Sequence, residues 1–294
     1  MGGVSSPVWQ CRDRTIHFGG RPQVMGILNV TPDSFSDGGR YADTGAALRR
    51  GMEMAEEGAD LIDVGGESTR PGSVPVPVEE ELARVVPVIE GLGREFRTGG
   101  GPLISVDTRK AEVAERALAA GAHVVNDVTA LAGDAGMPGV VRRYGAGVVL
   151  MHMRGEPATM QDDPQYADVV KEVGSWLESR IGALVEQGLE ERTLAVDPGI
   201  GFGKTAEHNL RILARLEGVA VRGRPLVVGL SRKRFLGKVT GQSVEQRLAG
   251  SVAGVVYAAM RGAQVVRVHD VRASVDAVRF LEAVRREETV AWSG

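Results

Sequence analysis

"LISVDTRKAEVAERALAAGAHVVNDV", residues 103–128, contains one complete structural unit. Leu103 to Asp107 is a short apolar run carrying Ile and Val, the length and residue type of a buried strand. Lys110 to Ala120 follows with apolar residues three and four apart, which is the spacing of one helix face. Gly121 ends that helix, because a residue without a Cβ adopts the left-handed cap conformation at no steric cost. Val124 to Asp127 is then a second strand. A strand, a helix and a strand in this order predict a parallel pair joined by a crossover helix.

The same unit recurs in both directions along the chain. Further strands are predicted at Val24 to Val30, Leu61 to Gly65, Val148 to His152, Leu194 to Asp197, Leu226 to Leu230 and Val265 to His269. Further helices fit at Asp43 to Glu57, Val78 to Phe96, Met137 to Tyr144, Ala167 to Gln187, Ala206 to Leu216, Val244 to Gly262 and Ala273 to Glu287. Gly58, Gly188 and Gly262 repeat the role of Gly121. Eight such units in about 270 residues predict an α/β fold of the (β/α)8 TIM barrel type. An open doubly wound sheet for a dinucleotide would carry G-x-G-x-x-G after its first strand, and that turn is absent here. One domain over residues 24–294 is expected, with residues 1–23 as a short lead-in read as a hairpin on the barrel floor. The Pro-rich "RPGSVPVPV", residues 70–78, falls inside the second unit as a long loop and is not a linker.

Composition narrows the function. The net charge is −3, from 35 basic and 38 acidic residues, which supplies no general field for nucleic acid or an anionic membrane. An anion must therefore be held by local groups. The longest apolar runs are too short to span a bilayer, and "MGGVSSPVWQCRDR" lacks the apolar core of a signal peptide, so a cytoplasmic location is expected. The single cysteine, Cys11, excludes an internal disulfide or a cysteine-based zinc cluster.

In a barrel of this type the strand C-termini and the loops after them build the active site. Each predicted strand ends on polar groups: Asn29; Asp63, then Glu67, Thr69 and Arg70; Asp107; Asn126 and Asp127; His152; Asp197; Ser231, Arg232 and Lys233; Arg267, His269 and Asp270. A lone Asp after a strand is ordinarily a cap or turn former, and Asp127 and Asp270 fit that reading. The set as a whole does not, because converging so many charges without a ligand is costly. Asp107, Asn126 and Asp197 offer acceptors to a flat heterocycle with N–H donors, while Arg70, Arg267, Lys233 and His269 suit phosphate or diphosphate. The chain has 5 lysines against 30 arginines, so a lysine at 233 is a weak hint that a compact ammonium is wanted there. "DPGIGFGK", residues 197–204, lacks the spacing of a nucleotide P-loop. It reads as a wall against a flat ligand, with Gly201 leaving room and Phe202 adding apolar surface. Met151 and His152 read as a floor beneath the ring, since no second histidine stands at a chelating spacing.

Taken together, "MGILNVTPDSFSDGG", "GADLIDVGGESTRPGS", "ISVDTRK", "GAHVVNDV", "LMHMRGEPATMQ", "LAVDPGIGFGK", "VGLSRKRFLG" and "GAQVVRVHDV" resemble the dihydropteroate synthase family over residues 24 to about 287. The resemblance implies condensation of 6-hydroxymethyl-7,8-dihydropterin diphosphate with 4-aminobenzoate, a transferase step of folate synthesis and the target of sulfonamides. It assigns the pterin pocket to Asp107, Asn126, Asp197 and Lys233, with Arg267 against the ring. Thr69, Arg70, Arg267 and His269 are implied for the diphosphate, together with Asn29 as the protein ligand of Mg2+. Ser231, Lys233, Phe35, Asp37 and Pro71 are implied for 4-aminobenzoate. Asp37, Lys233, Arg267 and Asp107 are the implied catalytic groups, and the family implies a homodimer through the last helices. Three rival readings are a corrinoid-dependent methyltransferase, which needs neither the first-loop motif nor the cationic site, a silent pterin-binding paralogue, and a phosphate-binding aldolase barrel. The last normally places a Schiff-base lysine inside a strand, and no predicted strand has one.

Overall fold

The computed structural model describes residues 7–31, 39–69, 73–97, 100–156 and 159–289, without the side chains of 39–43 and 288–289. Eight short parallel strands form its centre: β3 (Gln23–Asn29), β4 (Leu61–Gly65), β5 (Leu103–Asp107), β6 (Val124–Asp127), β7 (Gly147–Met151), β8 (Leu194–Asp197), β9 (Val227–Gly229) and β10 (Val265–Val268). Their order is β8-β7-β6-β5-β4-β3-β10-β9, and a parallel bridge from Val196 to Leu226 joins the two outer members, closing the (β/α)8 barrel.

Strand alternation divides the apolar side chains between two cores. Val24, Leu28, Ile62, Val64, Ile104, Val106, Val125, Val148, Leu150, Val196, Val228, Val266 and Val268 face outward and pack beneath the helices. Met25, Leu61, Leu103, Val124, Val149, Ala195, Val227 and Val265 face inward and fill the lower barrel. Inward positions nearer the strand C-termini carry mostly polar side chains, among them Asn29, Asp63, Ser105, Asp107, Asn126, Asp197 and Arg267, which puts the site in the upper half.

The helices are α1 (Gly39–Glu56), α2 (Val78–Phe96), α3 (Ala111–Ala119), α4 (Met137–Tyr144), α5 (Val169–Glu186), α6 (Ala206–Ala214), α7 (Arg234–Thr240), α8 (Leu248–Met260) and α9 (Val271–Thr289). Two departures from the expected pattern fall between β9 and β10. The run expected as one helix over 244–262 is a 3-10 turn at Val244–Gln246 followed by α8, with Arg247 at the break. Arg247 donates to Gln242 O and Arg232 O, and these bonds hold the break in place. A further helix, α7, directly follows Lys233; its seven residues are too short to give a periodic signal.

Residues Val8–Cys11 (β1) and Arg14–His17 (β2) form an antiparallel hairpin across the N-terminal end of the barrel. Trp9 and Cys11 are wholly buried among the lower inward residues, and Trp9 Nε1 donates to Thr193 O at 2.9 Å. Arg12 fastens the hairpin turn by donating to Leu118 O and Ala122 O at 2.8 and 2.7 Å. Removing the indole leaves a large cavity, so Trp9→Ala should lower unfolding free energy by about 3–5 kcal/mol. Trp9→Phe, which keeps most of the volume, should cost distinctly less in the same chemical denaturation series.

Candidate active site

Asp63 organises the barrel mouth. It sits at an inward position of β4, paired in register with Ile27 and Ser105, and is wholly buried. Its Oδ2 accepts from Arg267 Nε at 2.6 Å and from Asn126 Nδ2 at 2.9 Å. Arg267 Nη2 donates to Asp107 Oδ2 at 2.7 Å, so one guanidinium ties the ends of β4, β5 and β10 together. In the sequence Asp63 stands out only as a strand end. Its further signal is a carboxylate at inward parity in a five-residue strand that is otherwise apolar.

These groups perturb one another strongly. Burial pushes the Asp107 carboxyl up to about 7 against the lowering field of Arg267, and Asp63 adds to the rise. Burial opposes the charge on Arg267, but Asp63 and Asp107 outweigh it and hold the guanidinium more firmly protonated than usual.

Across the mouth, Asp197 ends β8 and Lys233 precedes α7. Burial raises the Asp197 carboxyl although Lys233 and the Gly199 amide, donating at 2.7 Å, oppose that rise. The half-buried Lys233 ammonium is pushed down to about 8 by burial, with Asp197 opposing and Arg267 reinforcing the shift. Its Nζ donates to Ile200 O and lies 4.8 Å from the centre of the Phe202 ring, a cation–π contact. Gly201 has φ +86°, and a Cβ there would stand 3.2 Å from Lys233 Cδ, so the glycine gives both the turn and the space the lysine needs. Ser231, nearly buried, lies 3.2 Å from His269 Nδ1, linking the ends of β9 and β10. Met151 has inward parity and pairs in register with Asp197.

Asn29 ends β3 on the other side. Gly65 lies between its amide and the Asp107 carboxylate: a Cβ at 65 would be 3.9 Å from Asn29 Oδ1 and 3.8 Å from Asp107 Oδ2. Thr69 lies on the loop after β4, whose base is pinned. Ser73 Oγ donates to Ser68 O at 2.5 Å, Val76 N donates to Glu67 Oε2 at 3.1 Å, and Lys110 Nζ donates to both Glu67 and the buried Glu81. Phe35, Asp37, Arg70 and Pro71 lie outside the described residues.

Three strand-end groups face away from the mouth, two of them, Asp127 and Asp270, being the cap or turn candidates of the sequence. Strand alternation turns His152 outward, where its ring packs edge-on against Trp176 with centroids 5.0 Å apart, so it forms no floor beneath a ligand. Burial, helped by Lys204, drives its pKa down to about 3. Lys204 is also buried: its Nζ donates to Phe202 O at 2.9 Å and His152 O at 3.3 Å, bracing the glycine loop from behind. Asp127 accepts from Thr129 N, Thr129 Oγ1 and Leu131 N, making it a turn former. Asp270 pairs with Arg232 outside the mouth.

Facing carboxylates, an amide and two cations over a closed, helix-wrapped barrel define a barrel enzyme of the kind that takes a polar ring at its C-terminal mouth. Residues 25–269 match the family model described as pterin binding enzyme, and the chain belongs to that family. Among its relatives is the dihydropteroate synthase of Escherichia coli (strain K12), 46% identical over 262 residues that cover 89% of this chain and 91% of the relative. The structure of Xanthomonas albilineans dihydropteroate synthase with 4-aminobenzoic acid is 49% identical, with a TM-score of 0.88 over 97% of this chain and 100% of that one. The Burkholderia cenocepacia dihydropteroate synthase complexed with 7,8-dihydropteroate is 44% identical, with a TM-score of 0.86 over 96% and 98%.

Proposed function

We propose that this chain is a dihydropteroate synthase, a transferase that joins 6-hydroxymethyl-7,8-dihydropterin diphosphate to 4-aminobenzoate and releases diphosphate. The observation that carries the reading is the convergence of Asp107, Asn126, Asp197, Lys233 and Arg267 on one mouth, at strand ends, in a chain of this family. Asp107, Asn126 and Asp197 present acceptors to the donor-rich edge of a dihydropterin. Arg267 lies against the ring and, with Thr69, Arg70 and His269, receives the diphosphate, whose developing charge the cations stabilise as the bond to the methylene breaks. The electron-rich dihydropterin carries the resulting cation until the aromatic amine attacks it. No protein nucleophile is required. Ser231 and Lys233 serve the aminobenzoate side, to which the family resemblance also assigns Phe35 and Pro71, and Met151, Gly201 and Phe202 add apolar or close-packed surface. Asp37 stabilises the cation or takes the amine proton.

Among the described residues there is no group of three His, Cys, Asp or Glu side chains able to hold a metal. One amide oxygen from Asn29, open to the mouth beside Gly65, fits Mg2+, which keeps most of its ligands as water and phosphate oxygen. Held by Asn29, the ion would supply positive charge against the leaving diphosphate. Among the described residues no helix is long and apolar enough to cross a membrane. The location read from the sequence, the cytoplasm, is part of this proposal. Exposed Tyr257 and Met260 on α8 and Phe280 on α9 support a homodimer, testable as twice the chain mass in light scattering.

Diphosphate release measured with the pterin diphosphate should require 4-aminobenzoate, stop on chelation of Mg2+, and be inhibited by a sulfonamide competitively with 4-aminobenzoate. Failure to form dihydropteroate at any Mg2+ concentration would overturn the reading.

A further inference from the structure

We infer that Asp63 is a positioning residue that fixes two ligand-facing groups at once: the plane of the Arg267 guanidinium and the orientation of the Asn126 amide. The inference deepens the dihydropteroate synthase reading and rests on it for its kinetic consequences.

An ionised carboxylate only accepts hydrogen bonds. Because Asp63 Oδ2 lies 2.9 Å from the Asn126 amide, that amide must turn its NH2 group toward Asp63. Its Oδ1 is then offered to a ligand as an acceptor. With Asp107 and Asp197, the wall presents acceptors from β5, β6 and β8, which suits a ring edge rich in N–H groups. The same Oδ2 receives Arg267 Nε at 2.6 Å while Arg267 Nη2 is held by Asp107, so two bonds to two strands fix the guanidinium plane. Arg267 keeps 20% side-chain exposure and thus faces both its anchors and the opening.

Asp63 is itself out of a ligand's reach, being wholly buried below the rim. Its Oδ1 and the hydroxyl of its register neighbour Ser105 are both buried without a hydrogen-bond partner among the described residues. Two adjacent unpaired polar atoms are the setting for one bridging buried water, which would satisfy Oδ1 while Oδ2 serves its two donors.

The test is a pair of single variants. Asp63→Asn keeps the shape but leaves the one atom that faces both Arg267 and Asn126 no longer a carboxylate oxygen, whereas Asn126→Asp places two carboxylates in contact. Each variant should raise KM for the pterin diphosphate by roughly tenfold to a hundredfold, the range for hydrogen bonds to charged groups, with KM for 4-aminobenzoate within about twofold. Wild-type pterin KM in folded Asp63→Asn overturns the inference. In ligand-free protein, the downfield Arg267 Nε–H resonance should be lost in Asp63→Asn. That signal decides the inference even if the wild-type protein makes no dihydropteroate, in which case the substrate reading alone fails.

Discussion

Arg267→Ala should lower kcat/KM by roughly a thousandfold, the largest effect of any single change at this mouth, because it removes the preorganised cation proposed for the leaving group and releases two carboxylates toward one another. Arg267 is the shared counter-ion of Asp63 and Asp107. Removing one partner of such a buried set costs about 3–5 kcal/mol in stability, so the melting temperature should fall as well. Arg267→Lys should recover stability better than activity, since an ammonium cannot span both carboxylates in one plane. The pH dependence follows from Asp107. Its folded-state carboxyl, raised by burial to about 7, keeps a proton that the unfolded chain has already lost. Between about pH 4 and 7 the native state binds the extra proton, and this group's contribution to stability declines as pH rises through that window. In Arg267→Ala the lowering field is gone, so the window extends upward. A pH series of denaturation midpoints for both proteins measures this; an unchanged upper limit would contradict the assignment.

Lys233→Ala should reduce kcat/KM by roughly a hundredfold or more and also remove an alkaline limb from the pH profile. The parent lysine, lowered by burial to about 8, carries its charge below that pH and loses it above. If the charge serves catalysis or binding, kcat/KM declines as pH rises through about 8. Lys233→Arg stays charged throughout and should flatten the limb. It should not restore the full rate, because the longer fork must pass Gly201, whose Cβ position already lies 3.2 Å from the lysine stem. An alkaline limb at the same pH in both variants would assign it to another group.

The fold is legible because its strands are short apolar runs, four of them, β4, β6, β8 and β10, led in by the helix-ending glycines Gly58, Gly121, Gly188 and Gly262, and periodicity reports such runs well. Closure of the barrel is implied in the sequence only by the count of eight, while the register and the Val196–Leu226 bridge are set by the folded structure. Side-chain direction is harder. His152 and Asp127 stand at strand ends like Asp197, yet one residue of parity turns them outward. The same parity, applied to "LIDVG", marks Asp63 as inward. In sequence this aspartate looks like one more polar strand end, because nothing local names its distant partners, Asn126 and Arg267. The break at Arg247 is hidden for a similar reason, being set by acceptors at Gln242 and Arg232 and not by a local Gly or Pro.

The hairpin of β1 and β2 has a kinetic consequence. With Trp9 lodged across the lower end, the barrel is a well and not a corridor. Whatever reaches Asn126 and Asp197 has passed the rim and must leave the same way. A molecule that occupies the rim therefore blocks both entry to and exit from the depth behind it.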